Sequence, residues 1–143
     1  MLDIDAVRNS AFISLKEDEG YSQFPAADTG NTLVIGYGLN INLEGVTKAE
    51  AAWLLNSKIN QCVADLVRAL PWFADLDVVR QAALVNMRYN LGMPRLSKFK
   101  KMLAALKIQD WKTAAKECLD SDAARSLPNR YGRLANILRG GVI

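Results

Sequence analysis

Glu17-Asp18-Glu19-Gly20-Tyr21, then Asp28-Thr29-Gly30-Asn31, then Thr32-Leu33-Val34-Ile35-Gly36-Tyr37-Gly38: this is the stretch on which the reading of the fold turns. It holds two acids with eight residues between them, Glu19 and Asp28, in a setting where the texture of the chain changes. Gly30, Gly36, Gly38 and Gly45, with Pro25 and several Asn and Asp, exclude a helix from Tyr21 to Val46. Asp28–Asn31 reads as a turn and Thr32–Gly38 as a short β-prone run, which predicts a hairpin or a three-stranded sheet here and nowhere else. A helix end and a turn can bring two carboxylates to the walls of one cleft. Glycoside hydrolysis needs such a pair: one carboxylic acid protonates the leaving oxygen, and the other activates water or stabilises the oxocarbenium-like centre. Spacing alone is weak evidence. The chain holds fifteen acids, and two solvated carboxylates at a helix end and a turn satisfy the same pattern.

On the N-terminal side, Ile4, Val7, Ala11, Phe12 and Leu15 recur three and four apart behind Asp3 and Asp5, predicting an amphipathic helix that ends at about Glu19-Gly20. On the C-terminal side, Thr47-Lys48-Ala49-Glu50 has capping-box spacing, and the apolar pattern after it predicts a long helix over about 47–70, stopped by Pro71. Asp77 caps the next, in which Val78, Ala82, Leu84, Val85, Met87 and Leu91 carry the apolar pattern; with almost every other residue apolar, it is expected to be the buried central helix and to end at Gly92. Further helices are expected at about 96–106, 109–120 and 130–139. Trp53, Trp72, Phe73, Phe99 and Trp111 fall in or beside these apolar patterns and are expected in the core. The predicted class is α+β, predominantly helical, as one domain over 1–143. It comprises a small lobe at about 15–50, an inter-lobe helix at about 47–70, and a helical lobe at about 71–143 that includes the N-terminal helix.

Composition removes whole classes of chemistry. The chain has no histidine, so Ser-His-Asp, Cys-His and His-metal sites are all excluded, and catalysis falls to carboxylates before Lys, Tyr or Cys. Cys62 and Cys118 lack CxxC spacing and read as free, buried thiols; neither a metal nor a cofactor is expected. The net charge of +3 favours an anionic partner, and Lys98, Lys100 and Lys101 form a basic cluster that reads either as a solvated helix face or as attraction to an anionic wall polymer. No dense Arg/Lys stripe on one helix supports nucleic-acid binding. There is no basic-then-apolar leader and no run near the roughly 20 apolar residues that span a bilayer. The expectation is synthesis in a cytoplasm without an export signal, no stable membrane insertion, and a monomer.

The quoted stretch resembles the catalytic region of the phage-type lysozymes, the endolysin muramidases. In that family a Glu-Gly pair closes the first helix, an Asp or Cys follows after eight residues, and five more lead to a Thr-Ile-Gly-x-Gly strand. Here Glu19-Gly20, Asp28 and Val34-Ile35-Gly36-Tyr37-Gly38 stand at those spacings. Gly45–Ala51, Val79–Met87 with Asn90-Leu91-Gly92, Trp111–Ala115 and Pro128-Asn129-Arg130 resemble later segments of the same family, in order, over about 120 residues. The resemblance implies a two-lobed lysozyme fold whose cleft is lined by Glu19, Asp28 and the hairpin. It implies cleavage of bacterial peptidoglycan with Glu19 as general acid, Asp28 activating water or stabilising the cation, and Arg130 orienting Glu19. Tyr21, Tyr37 and Asn40 are the candidates for touching sugar. It further implies phage origin, with release to the wall through a separate pore or delivery in a virion.

The sequence departs from the family at two points. Val34 stands where the family places a Thr whose hydroxyl holds the attacking water, and valine matches its shape without its donor or acceptor. Leu39 stands where His or Arg is common. Thr32, two residues earlier, is a candidate substitute for the missing hydroxyl. These departures keep two other readings in view: a lytic transglycosylase, in which the sugar's own hydroxyl replaces water, and a non-catalytic wall-binding or virion protein on the same fold.

Overall fold

A computed structural model describes residues Met1–Gly141. The architecture is α+β and predominantly helical, as expected, with one three-stranded antiparallel sheet near the N-terminus. Contacts divide the chain into two compact units, Met1–Ala52 and Trp53 onward, with the boundary inside a continuous helix.

The first unit opens with α1 (Ile4–Glu19), whose first turn is capped by Asp3 accepting from the Ala6 N–H at 3.0 Å. None of its residues is buried, so the apolar rhythm predicted the helix correctly without predicting burial. After Gly20 come β1 (Ser22–Ala27), β2 (Leu33–Gly36) and β3 (Leu39–Asn40), in the spatial order β1-β2-β3. Ala26 lies opposite Val34, which in turn lies opposite Asn40. The β1–β2 ladder is irregular between Ser22 and Ala26, around Pro25, which has no N–H to give to a partner.

The helix α2 (Lys48–Ala69) begins with the expected capping box: the Glu50 N–H donates to Thr47 Oγ1 at 3.2 Å, and the Thr47 N–H donates back to Glu50 Oε2 at 2.7 Å. In the second unit a short 3-10 turn (Phe73–Asp75) leads to α3 (Val78–Leu91), capped by Asp77. The central helix buries one face, with Ala83, Leu84, Met87 and Leu91 facing the core, while Val78, Ala82 and Tyr89 are exposed, so the expectation of a buried helix holds for that face alone. The helix expected over 96–106 is two: α4 (Met93–Leu96), with Pro94 in its first turn where a missing N–H costs nothing, and α5 (Lys100–Lys107). Then come α6 (Trp111–Leu119), α7 (Asp122–Ser126) and α8 (Pro128–Gly140). The sequence reading missed α7, a five-residue helix capped by Ser121 and too short to show a period.

Leu66, Leu84, Met87, Leu96, Met102, Leu106 and Leu138 are almost completely buried together with Ala114, Cys118 and Tyr131. Each large apolar side chain so buried stabilises the unit by about 1.5–3 kcal/mol. Arg80, the one buried charge among the described residues, is fully engaged: it donates to the Leu138 carbonyl (2.7 Å) and the Arg139 carbonyl (3.1 Å), pairs with Asp77, and lies 3.9 Å from the Trp111 ring centre. Phe73 is buried, and Trp72, Phe99 and Trp111 pack against the core, as expected. Trp53 is a correction: it is 72% exposed, because its position on α2 lies off the face that carries the buried Cys62 and Leu66. Among the described residues no helix is long and apolar enough to cross a membrane.

Candidate active site in the sheet-bearing unit

Glu19 is the last residue of α1, and Gly20 caps the helix and turns the chain into β1. The β2–β3 turn returns to meet it. A Cβ placed on Gly38 would stand 2.7 Å from Glu19 Oε2 and 3.1 Å from its carboxyl carbon, so the Glu19 carboxyl rests directly against the backbone at Gly38. Gly38 also has φ +81°, a left-handed conformation that side-chain-bearing residues rarely adopt. The Gly-x-Gly motif therefore has a steric reason here. Its second glycine makes room for the carboxyl.

Asp28 heads the turn before β2, and its carboxylate accepts three hydrogen bonds from that turn. Oδ1 accepts from the Gly30 N–H at 2.8 Å and the Thr32 N–H at 2.9 Å; Oδ2 accepts from the Thr32 hydroxyl at 2.8 Å. The Thr32 backbone N–H, then its hydroxyl, with a smaller part from the Gly30 N–H, hold the Asp28 carboxyl below the usual carboxylate value against slight desolvation. Asp28 is thus an oriented anion over the neutral range.

Thr32 is itself braced. Asn40 Nδ2 donates to Thr32 Oγ1 at 3.0 Å, and Asn40 Oδ1 accepts from the Leu43 N–H at 3.0 Å. The chain Asn40–Thr32–Asp28 therefore runs from β3 to the turn. The Thr32 hydroxyl, considered from sequence as a holder of water, gives its hydrogen to Asp28. Asn40, considered as a sugar contact, gives one N–H to this brace and accepts from Leu43 with its carbonyl oxygen. Thr32 lies one residue before β2, and the half-buried Val34 sits within it, opposite Ala26 and Asn40.

Tyr21 and Tyr37 lie side by side, with ring centres 5.5 Å apart and planes tilted by 47°, and both are exposed. Lys16 Nζ stands 5.4 Å from the Phe12 ring centre and 5.7 Å from that of Tyr37, a cation–aromatic cluster the sequence reading did not single out. Helical spacing links Phe12 to Lys16, but only the fold brings in Tyr37. The first unit thus collects Glu19, Asp28, Thr32, Val34, Tyr21, Tyr37 and Asn40 on or around one small sheet.

Arg130 belongs to the second unit. It stands in the first turn of α8, where its Nε donates to Asn86 Oδ1 at 2.9 Å. Asn86 is on α3, so the pair ties two helices of that unit.

The phage lysozyme family model matches residues 16–130, an interval that begins within α1 and ends on Arg130. The chain is 25% identical over 140 residues to "Probable T4-type lysozyme 1" of Dictyostelium discoideum, covering 95% of this chain and 74% of that protein. It is 32% identical over 71 residues to "Probable T4-type lysozyme 2" of the same organism, covering 50% of this chain and 42% of that one.

Proposed function

The chain belongs to the phage lysozyme family, and from that premise we propose that it hydrolyses the β-1,4 bond between N-acetylmuramic acid and N-acetylglucosamine in bacterial peptidoglycan. The observation that carries the reading is that the first unit holds both a carboxyl seated against Gly38, in the β2–β3 turn, and a carboxylate fixed by three hydrogen bonds in the β1–β2 turn. The two acids differ in their surroundings, and that difference assigns their roles. Asp28 is held as an anion, which suits activation of water or stabilisation of positive charge at the anomeric carbon. Glu19 carries no such set of donors. In its protonated form it delivers the proton to the glycosidic oxygen, and the sugar ring departs as its C–O bond breaks. The neighbouring Tyr21 and Tyr37 offer aromatic faces to a sugar ring. In this reading the protein is a monomer that acts on the wall of a phage host, reaching it by release through a pore or by delivery in a virion.

Val34 favours a second reading. With no hydroxyl at that position and the Thr32 hydrogen given to Asp28, the attacking water loses an anchor, and transglycosylation by the sugar's own hydroxyl loses nothing. Digestion of purified peptidoglycan by the wild type and Glu19→Gln, with product ends identified by mass spectrometry, separates these outcomes. Reducing N-acetylmuramic acid ends that vanish in the variant support the hydrolase; anhydro ends assign the transglycosylase. No cleavage by either protein, under conditions where another lysozyme works, leaves a wall-binding relative without chemistry.

A further inference from the structure

The net charge of +3 conceals a division between the units. Residues 1–52 hold three Lys and Arg against eight Asp and Glu, a net of −5, whereas residues 53–143 hold fifteen against seven, a net of +8. Within the second unit the positive charge is concentrated further. From Arg95 to Lys116 there are seven Lys and Arg against one acid, Asp110.

This segment borders a cavity of about 540 Å³ formed by α4, α5, α6 and α7. One side carries Arg95, Lys98, Lys100 and Lys101, all exposed and none in an ion pair among the described residues. On the other side Asp120 and Asp122 share one partner, Arg125, at 3.7 and 2.5 Å, which offsets one of their two charges. Glu117 is the remaining acid in the lining. Leu91, Phe99 and Met102 supply an apolar portion.

We propose that this cavity and the basic surface leading from it bind a flexible polyol-phosphate chain of the bacterial surface. Three features select that ligand. The charge runs beyond the cavity along α5 and α6 through Lys107, Lys112 and Lys116, which suits a polymer of repeating anions better than a single one. Six of the seven cations are lysines, flexible point charges that bind phosphate without demanding a fixed bidentate geometry and so suit a mobile chain. The charge also lies around a concavity with an apolar patch, not along one projecting helix, so it fits a thin chain with a carbon backbone better than a rigid duplex. Such binding goes beyond the hydrolase reading and needs no cleavage. It would raise the enzyme's concentration at a phosphate-bearing wall.

The test is fluorescence anisotropy of labelled poly(glycerol phosphate) titrated with the full chain across a range of salt. Lys98→Gln/Lys100→Gln/Lys101→Gln is compared with a control that removes three cations elsewhere, Lys48→Gln/Lys58→Gln/Arg133→Gln. The cavity variant is expected to bind about tenfold more weakly, with a log–log salt slope shallower by about 2, because each phosphate contact contributes about 0.7 to that slope for a single-stranded polyanion. The control should stay within about twofold of wild type, since net charge alone acts weakly at a distance in salt. Cleavage of phosphate-free peptidoglycan should be unchanged in the cavity variant, which separates this proposal from the catalytic reading. Equal losses in both variants would show diffuse attraction and overturn the site. So would no binding by wild type, or tighter binding of a DNA duplex that displaces the polymer.

Discussion

Gly38→Ala isolates the contact on which the active-site reading rests. The new Cβ would stand 2.7 Å from Glu19 Oε2, while ordinary contact begins at about 3.4 Å, so the carboxyl must retreat by roughly 0.7 Å. The displaced atom is the far end of a flexible side chain, so the retreat itself adds little to the cost in stability. The main cost in stability is the left-handed backbone, φ +81° at Gly38, about 1–2 kcal/mol for a residue with a Cβ. In a chain of this length that lowers the melting midpoint by about 3–6 °C. Function should suffer far more, because a displacement near 1 Å of a group that must meet the scissile bond costs on the order of 100-fold. Gly36→Ala is the control. Gly36 has φ +66° and nothing within 4 Å of its would-be Cβ, so it carries the strain without the collision. Both variants should melt a few degrees early, and Gly38→Ala alone should lose about 10- to 100-fold in kcat on suspended peptidoglycan. Equal activity losses in the two would refute the seating of Glu19 on Gly38.

Thr32→Val should raise the pKa of Asp28 toward its ordinary value of 3.8 by removing the hydroxyl donor, and carboxyl-carbon NMR would read the shift. Because the folded-state value lies below the unfolded one, the turn's stabilisation is full above 3.8 and fades as pH falls through the depressed value, and the variant should lose part of that window. An unmoved Asp28 titration would show that the hydroxyl does not hold the carboxylate. Val34→Thr should increase hydrolysis about 10- to 100-fold, the worth of one water-positioning bond of 1–3 kcal/mol, and shift any anhydro products toward reducing ends; an unchanged product spectrum would count against water placement at this strand. Arg80→Met should destabilise the second unit by about 3 kcal/mol in denaturant melts, since it leaves the Leu138 and Arg139 carbonyls without their charged donor, and a loss below about 1 kcal/mol would refute the clamp. Cys118, whose thiol burial pushes up to about 11, and the buried Cys62 should resist alkylation at neutral pH until the chain unfolds, so labelling of the native protein would contradict their placement.

Local signals in the sequence carried most of the fold. Period, caps and breakers located α1, α2 and α3 to within a residue or two and the sheet by its region, because Asp3, Thr47, Glu50, Asp77 and Gly92 act on backbone groups three or four residues away. The errors lie where several residues had to be weighed together. The helix expected over 96–106 is broken into α4, which Pro94 opens, and α5, and α7 is too short to show a repeat. The exposure of Trp53 depends on which face of α2 meets the core, and a long helix with apolar residues on more than one side does not reveal that in its sequence.

The candidate site was legible in its residues but not in their connections. Glu19 and Asp28 stood out by spacing and type, whereas the seat at Gly38 and the brace Asn40–Thr32–Asp28 depend on register. Once β3 pairs with β2, Asn40 falls opposite Val34, within reach of the residue that precedes the strand. That register changes what the substitution at Val34 means. With valine at position 34, the hydroxyl that reaches Asp28 is that of Thr32, which joins the turn's two N–H groups on the carboxylate and is itself fixed by the Asn40 amide. The three bonds to Asp28 close the 28–32 turn and at the same time orient its carboxylate, while position 34 offers no hydroxyl. In the proposed hydrolase reading Asp28 is therefore oriented independently of position 34, and the supply of the attacking hydroxyl is the step that Val34 alters.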